Sequence, residues 1–558
     1  LSYKRNRDTD WNSETTLNFD RTFDKHSVGA LASVTLSDYH GSELKASATG
    51  FAADMESELY QYLSFASSYS NPTDAFGVDR NLSYVGRLSY SYDNRYFLTA
   101  SMRRDYAGRL PAGNNYGDFP SFTAGWKLSE EAFMPKTDMI NLIKLRGSWG
   151  RIGNIASIGQ DYAFNPLSKL DFGYMNRGSG SGVIGEPNYR PSMTITPGRV
   201  FNPSLTWETS EQTDFGIDLE LFNRKLSLSV DWFNKRTFNL ITEQNYGWPG
   251  AIIGISAPQI NEGEIRNTGI EINAGWNDKI GDVSYFINAN LATLKNTITD
   301  IGAADPNTGK KPEWRWDDNY RGQLRPFKSR EGDPLYSFWL VKTDGIFQSP
   351  EEAAAYVDKN GNRIQPNATA GDLKFIDKNG DGKINDDDRE YLGGYFPKMT
   401  YAITAGLSWN NLSFSIMLQG VQGANAFNAF KFVTLNEGMG NFNRWNRILD
   451  AWPNTNEIPR LTTNDTNGNF STNSDWYLED ASYLRIKNIT VGYDLTQILR
   501  KANYFDKRKS ALTLSLGAEN LLTFTKYTGI DPEVGGNGFD GGVYPVFRTY
   551  TLALKLTF

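Results

Sequence analysis

The 558-residue chain has no cysteine and two histidines, His26 and His40. Without cysteine there is no disulfide, no thiolate zinc site and no cysteine nucleophile. A Ser-His-Asp centre would have to use one of the two histidines. His26 falls at a hairpin turn and His40 at the start of a loop, so both read as solvated turn residues and no enzyme is expected. Long apolar runs are missing too. None approaches the roughly 18 residues a membrane helix needs, and the mean hydropathy is −0.51. A helical membrane protein is excluded, but a β-barrel is not, because only alternate residues of its strands face lipid. Basic residues are outnumbered, 57 Lys and Arg against 64 Asp and Glu, for a net charge of −7. That balance offers nothing to nucleic acid. Leu1 carries no methionine and opens no signal-like segment, which reads as an internal or processed start.

Aromatic residues are plentiful at 14%, with 29 Tyr and 14 Trp, and both types suit a membrane–water boundary. The dominant pattern is period-two alternation, the mark of strands with two unlike faces. Tyr550, Leu552, Leu554, Leu556 and Phe558 alternate with Thr551, Ala553, Lys555 and Thr557. Leu226, Leu228, Val230 and Trp232 alternate with Ser227, Ser229 and Asp231, and Leu512, Leu514 and Leu516 with Thr513, Ser515 and Gly517. Runs such as 206–222 and 225–241 exceed the ~5–6 residues usual in soluble strands and suit the ~9–11 of a tilted membrane strand. Leu226, Leu228, Val230, Leu512, Leu514, Leu552 and Leu554 should face lipid; Asp218, Glu220, Asp231, Glu271 and Glu519 should face a wet lumen.

Connections alternate between short and long. Tight turns fall at 24–25, 93–95, 223–225, 278–282 and 410–411. Long connections fall near 40–79, 154–203, 243–262, 299–397, 424–477 and 525–544. Short periplasmic turns opposite long extracellular loops are the habit of outer-membrane barrels. Counting back from the C-terminus gives about 15 strands, with every tight turn on the periplasmic side. Tyr336–Phe347 looks like a strand but breaks the parity, so it belongs inside a long extracellular loop. Within Leu484–Tyr493 the apolar phase shifts near Asn488, as a β-bulge would produce.

Several stretches resemble one family, the SusC/RagA type of TonB-dependent outer-membrane transporter of Bacteroidetes. They are Phe119-Pro-Ser-Phe-Thr-Ala-Gly-Trp126, Ile143-Lys-Leu-Arg-Gly-Ser-Trp-Gly150, Asn202-Pro-Ser-Leu-Thr-Trp-Glu208 and Lys342-Thr-Asp-Gly-Ile-Phe-Gln348. The most specific are Glu479-Asp-Ala-Ser-Tyr-Leu-Arg-Ile-Lys-Asn488, Asn520-Leu-Leu-Thr-Phe-Thr-Lys-Tyr527 with Gly529-Ile-Asp-Pro-Glu533, and the terminal Phe558. The ordered series spans the chain. The resemblance implies an all-β, antiparallel transmembrane barrel of 22 strands, closed by an N-terminal plug and energised through TonB. A SusD-like surface lipoprotein would capture the cargo, an oligosaccharide or in some members a peptide. On this reading residues 1–558 are the C-terminal part of the barrel, and the plug, the TonB-contacting segment and about seven strands are not among them. The expected place is the outer membrane, among its lipids, and the expected work is import of a nutrient oligosaccharide. Oligopeptide import, or a passive porin or adhesin barrel, is the alternative.

One local motif stands out. Asp377-Lys-Asn-Gly-Asp-Gly-Lys-Ile-Asn-Asp-Asp-Asp388 matches a 12-residue calcium loop position by position. Asp377, Asn379 and Asp381 take positions 1, 3 and 5. The Lys383 carbonyl takes 7, Asn385 takes 9 and Asp388 takes 12. A structural Ca2+ in an extracellular loop is the expectation. Asp358-Lys-Asn-Gly-Asn362 begins in the same way and then fails, so it reads as a plain turn. Among the loop aromatics Trp248, Trp314, Trp316, Trp445 and Trp452, each reads first as loop packing. Trp314, Trp316 and Asp318 are the best candidates to stack on and hydrogen-bond a glycan. The lumenal carboxylates wet the pore, since nothing places two of them at glycosidase separation.

Overall fold

A computed structural model describes residues 2–51, 62–70, 72–159, 169–171, 194–196, 202–244, 257–305, 308–314, 320–440, 442–497 and 511–557. The alternating runs form fifteen long strands. They are β1 (Ser2–Phe23), β2 (His26–Thr49), β3 (Thr73–Tyr92), β4 (Tyr96–Ala107), β5 (Tyr116–Lys127), β6 (Ile140–Asn154), β7 (Glu208–Leu221) and β8 (Leu226–Phe238). Then come β9 (Glu264–Ile280), β10 (Val283–Thr293), β11 (Met399–Trp409), β12 (Leu412–Gln422), β13 (Tyr483–Asp494), β14 (Ala511–Thr525) and β15 (Thr549–Thr557). Each pairs antiparallel with the next in sequence, and β10 runs on as Lys295–Asp300, still against β9. Among the described residues β1 and β15 each have one neighbour, so they are the two edges of this meander.

The turns lie where the sequence places them. Asp24, Asp93, Asn94, Asn223 and Asn410 take φ between 49° and 57°, which Asp and Asn tolerate better than most side chains. Gly281, at φ 59°, turns β9 into β10. The long connections, 50–72, 155–207, 239–263, 301–398, 423–482 and 526–548, all leave the opposite end of the sheet. Tyr336–Phe347 is outside the meander as the parity requires. Ser337–Val341 pairs with Arg389–Gly394, and Thr343–Ile346 with Leu373–Phe375. The phase shift in β13 is a register break between Ile486 and Asn488, matched on β12 between Met417 and Leu418.

Register sorts the two faces. Leu219 stands opposite Leu228, Val230 opposite Ile272, Ile272 opposite Leu291, and Leu516 opposite Leu552. This outward face stays exposed: Leu88 at 64%, Leu552 at 71%. Such a continuous apolar face fits hydrocarbon and not water. Near the short turns it ends in a girdle. Tyr96 stacks between Tyr92 at 6.3 Å and Trp126 at 6.4 Å, and Trp276 donates to the Tyr285 hydroxyl at 3.3 Å. His26 joins that girdle by a 2.7 Å hydrogen bond to Tyr90, and His40 lies 2.8 Å from Asp38 on the surface of β2. The inward face is polar. Arg146 bridges Asp218 at 3.1 Å and Asp231 at 2.7 Å, with Ser229 at 2.9 Å. Ser148 donates to Asp214 at 2.8 Å.

The depth of each outward residue sets the cost of a charge there. Val230, opposite Ile272, sits midway up the apolar band, whereas Leu514 stands opposite Tyr493 near the girdle. Val230→Arg should destabilise the full protein in lipid vesicles by about 2–4 kcal/mol, and Leu514→Arg by about 0–1 kcal/mol. Urea unfolding measures both. Equal costs would show that the band is misplaced.

Candidate functional site

The long loops above β10–β15 do not trail into solvent. They share one aromatic core. Phe338 from 301–398 and Phe427, Phe470 and Tyr477 from 423–482 are fully buried together. Phe539, from 526–548, stacks on Phe427 at 5.7 Å. A loop that buries this much apolar area is ordered by the hydrophobic effect, as a domain is.

Buried charges tie this cap together and fix it to the barrel. Arg485, at the extracellular end of β13, is 1% exposed. It donates to Asp531 at 2.6 Å, Glu533 at 2.7 Å and Thr523 at 2.9 Å. Asp372, from the first loop, accepts from Arg460 at 2.7 Å and Asn469 at 2.8 Å, both from the second. Lys431 meets Glu479 at 2.7 Å, and Glu479 also accepts the Thr528 N–H and hydroxyl, each at 2.7 Å. Tyr527 donates to buried Asp540 at 2.5 Å. Burial draws Lys431 toward its neutral form while Glu479 pulls the other way. Burial alone would raise Glu479, but Lys431 and the Thr528 donors hold its carboxyl below the ordinary glutamate range. Glu479, with three further donors including the Asn428 amide at 3.1 Å, is the firmer anchor, and the pair is ionic.

The calcium-like stretch is a tight turn beside this core. Asp377 accepts the N–H groups of Gly380 and Gly382, both at 2.8 Å. Asn379 accepts from Asp381 at 2.9 Å, Asp381 from Lys383 at 2.9 Å, and Asn385 from Asp387 at 2.7 Å. Asp388 is buried and accepts from Lys378 at 2.9 Å and Asn385 at 2.7 Å. Both oxygens of Asp377 keep a second lone pair, so the donor set has the chemistry a hard cation takes. Yet among the described residues no three acidic or histidine side chains stand close enough to hold a metal ion. The backbone N–H groups have the carboxylates, and a cation would have to draw Asp377, Asp381 and Asp388 together. Asp358 accepts the N–H groups of Asn360 and Asn362 at 2.8 Å in a plain turn.

The aromatic candidates are not brought together as a platform. Trp314 is half-buried, bridges Ser329 through its backbone at 3.0 and 2.9 Å, and lays its ring over Gly263. Trp316, Asp318 and Trp248 lie outside the described residues. Trp445 packs edge-on to Phe430 at 6.0 Å, and Trp452 covers Gly371. The Arg485 hub was not among the residues expected from sequence, although it joins two of the family-like stretches, 479–488 and 529–533. The available signal was an arginine on the inward phase of a spanning strand.

Two predictions follow from these burials. Arg485→Met strands Asp531, whose side chain is only 10% exposed, and should cost the cap about 3–5 kcal/mol. Glu533→Gln, at a 43% exposed partner, should cost about 0–1 kcal/mol. Hydrogen exchange in 526–548 reads the difference, with β12 and β13 as the internal control. The second concerns acid. The depressed Glu479 carboxyl contributes stability above the ordinary glutamate pKa, and that contribution is lost as pH falls through its lower folded value. The cap should therefore loosen on acidification, and Glu479→Gln should remove that step from the exchange profile.

The family model for the TonB dependent receptor-like β-barrel matches residues 1–521. TonB-dependent receptor P26 of Formosa agariphila is 28% identical over 98% of this chain and 53% of its own length. TonB-dependent receptor SusC of Bacteroides thetaiotaomicron is 26% identical over 86% of this chain and 44% of its own. The chain thus spans about half the length of the curated relatives it matches. The solved RagAB peptide transporter superposes with a TM-score of 0.75 over 100% of this chain and 56% of its own, at 23% identity. At that identity the likeness speaks for the fold. The family is one of receptors, not enzymes. With its paired meander, lipid-facing band and polar lumen, the chain belongs to the TonB-dependent receptor-like β-barrels of the outer membrane.

Proposed function

We propose that these residues are the C-terminal barrel portion of an active importer that brings an oligosaccharide across the outer membrane. A SusD-like lipoprotein would seat on the cap, and TonB would act through protein outside these residues. That outside part would also supply the plug and the strands that close β1 to β15, because open edges in lipid leave backbone groups unpaired. The ordered cap carries the reading. A passive pore has little use for three long loops folded around one core, whereas a lid needs a shaped seat. The lumen supports a hydroxyl-rich cargo, since it presents carboxylates, amides and hydroxyls that can trade hydrogen bonds with one. Oligopeptides are the other cargo class, as named for the RagAB transporter. Growth of a deletion strain on a panel of glycans and peptides separates them. Loss on peptides alone reassigns the cargo, and loss on neither leaves a porin or adhesin.

The lid proposal has its own test. Leu449, 73% exposed, and Phe442, 39% exposed, stand on the cap surface. Leu449→Asp should lower recovery of the lipoprotein with the transporter from mild detergent while the barrel stays folded. A transporter that supports uptake but always isolates alone sinks the partner.

For residues 377–388 we propose a structural Ca2+ held by Asp377, Asn379, Asp381, the Lys383 carbonyl, Asn385 and Asp388, from their type and spacing. Millimolar calcium should slow proteolysis of this loop, since extracellular sites of this kind bind at about 10⁻⁴–10⁻³ M. Asp377→Ala with Asp381→Ala should abolish the effect. Protection that ignores calcium rejects the ion.

A further inference from the structure

The lipid-facing wall carries arginines where its apolar band ends. Three lie at the extracellular ends of β4, β6 and β8, each over an aromatic ring: Arg104 over Tyr116, Arg151 over Trp149 and Arg236 over Phe238. Arg104 is matched by Asp118 at 2.6 Å and Arg151 by Glu211 at 2.7 Å. Those two pairs are neutral.

The patch on β8, β9 and the continuation of β10 is not. Arg236 stands directly opposite Arg266 in the register, on the same outward face as the Trp232–Ile270 pair below them. Lys295, opposite Thr268, lies on the neighbouring strand. All three are exposed. The outward carboxylates there are taken: Glu211, opposite Arg236 in the register, by Arg151 at 2.7 Å, and Glu264 by Arg236 at 2.5 Å and Thr299 at 2.8 Å. Arg266 donates to the Asn234 amide oxygen at 2.7 Å, and among the described residues no carboxylate pairs with Arg266 or Lys295. Like charges directly opposite on a sheet repel, so this surface is poised for an anion.

Its height says which anion. Ten residues separate Arg266 from Trp276 of the lower girdle. At ~3.3 Å per residue and a ~45° tilt that is about 23 Å, close to the ~25 Å height of the apolar band. Arg266 therefore sits at the headgroup level of the outer leaflet. Acyl chains there would lie on Trp232, Val230, Ile270 and Ile272.

We propose that Arg266 and Lys295, beside the paired Arg236, form a binding site for the phosphate of an anionic outer-leaflet lipid. The guanidinium of Arg266 offers paired N–H donors to two phosphate oxygens, and Lys295 adds a point charge. The site rests on the barrel fold and not on any cargo, so its failure leaves the import reading untouched.

The test uses the full protein in micelles of a neutral detergent doped with phosphatidylglycerol or with phosphatidylcholine. Thermal unfolding and the lipid phosphate retained after detergent washing are the readouts. Phosphatidylglycerol should raise the melting temperature and remain bound, and phosphatidylcholine should do neither. Arg266→Gln and Lys295→Gln should each weaken retention about fivefold, at roughly 1 kcal/mol per surface cation. Arg104→Gln should leave it unchanged. Heat-modifiable gel migration confirms that each variant folds. Equal retention in Arg266→Gln, an equal response to phosphatidylcholine, or the same shift from inorganic phosphate alone would overturn the site.

Discussion

Hydrocarbon offers no hydrogen bonds, so every backbone N–H and C=O inside the bilayer must find a partner within the sheet. The rest of the structure follows from that constraint. Strands must pair along their whole length, so β1 to β15 run as an unbroken antiparallel meander. Pairing fixes register, and register with a period of two separates a face for lipid from a face for water. A one-residue slip between β8 and β9 would turn Val230 toward the lumen and Asp231 toward lipid. The Arg146–Asp218–Asp231 cluster makes that slip costlier still, because it joins β6, β7 and β8 across the wet face.

Because the band has fixed height, surplus chain can leave only at its edges. On one side turns such as Asn410-Asn411 hand a strand back at once. On the other side the chain gathers into loops long enough to build a core. Closing long loops costs little more than closing short ones, since the entropy grows only with the logarithm of length. What must be gained is area to bury, and Phe338, Phe427 and Phe539 supply it from three separate loops.

This division explains what could be read from sequence. Alternation and turn chemistry are local, so the strands, the Asn488 bulge and the exclusion of Tyr336–Phe347 from the wall were visible in the residues themselves. The site was harder. Trp314 reads both as loop packing and as a candidate to stack on a glycan until Gly263, far along the chain, is seen beneath its ring. The ligand pattern of 377–388 is visible in one dimension. Whether its oxygens face a shared centre or the loop's own N–H groups depends on backbone angles that spacing does not set. Arg485 and Glu533 stand in two separate stretches of sequence until the fold brings them to 2.7 Å. Contacts between loops have no period, so no pattern announces them.

The buried charges of the cap call for a reason beyond stability. An ion pair taken out of water often gains no more than a well-packed apolar pair would. What it adds is direction: a guanidinium with fixed donors accepts one arrangement of carboxylates where leucine would accept many. Arg460–Asp372 joins the first loop to the second, Thr528–Glu479 the third to the second, and Arg485–Asp531 the third to β13. Each loop is thereby indexed against another, and one of them against the barrel wall. Loops fastened in this way have one relative placement, and the surface they present together has one shape.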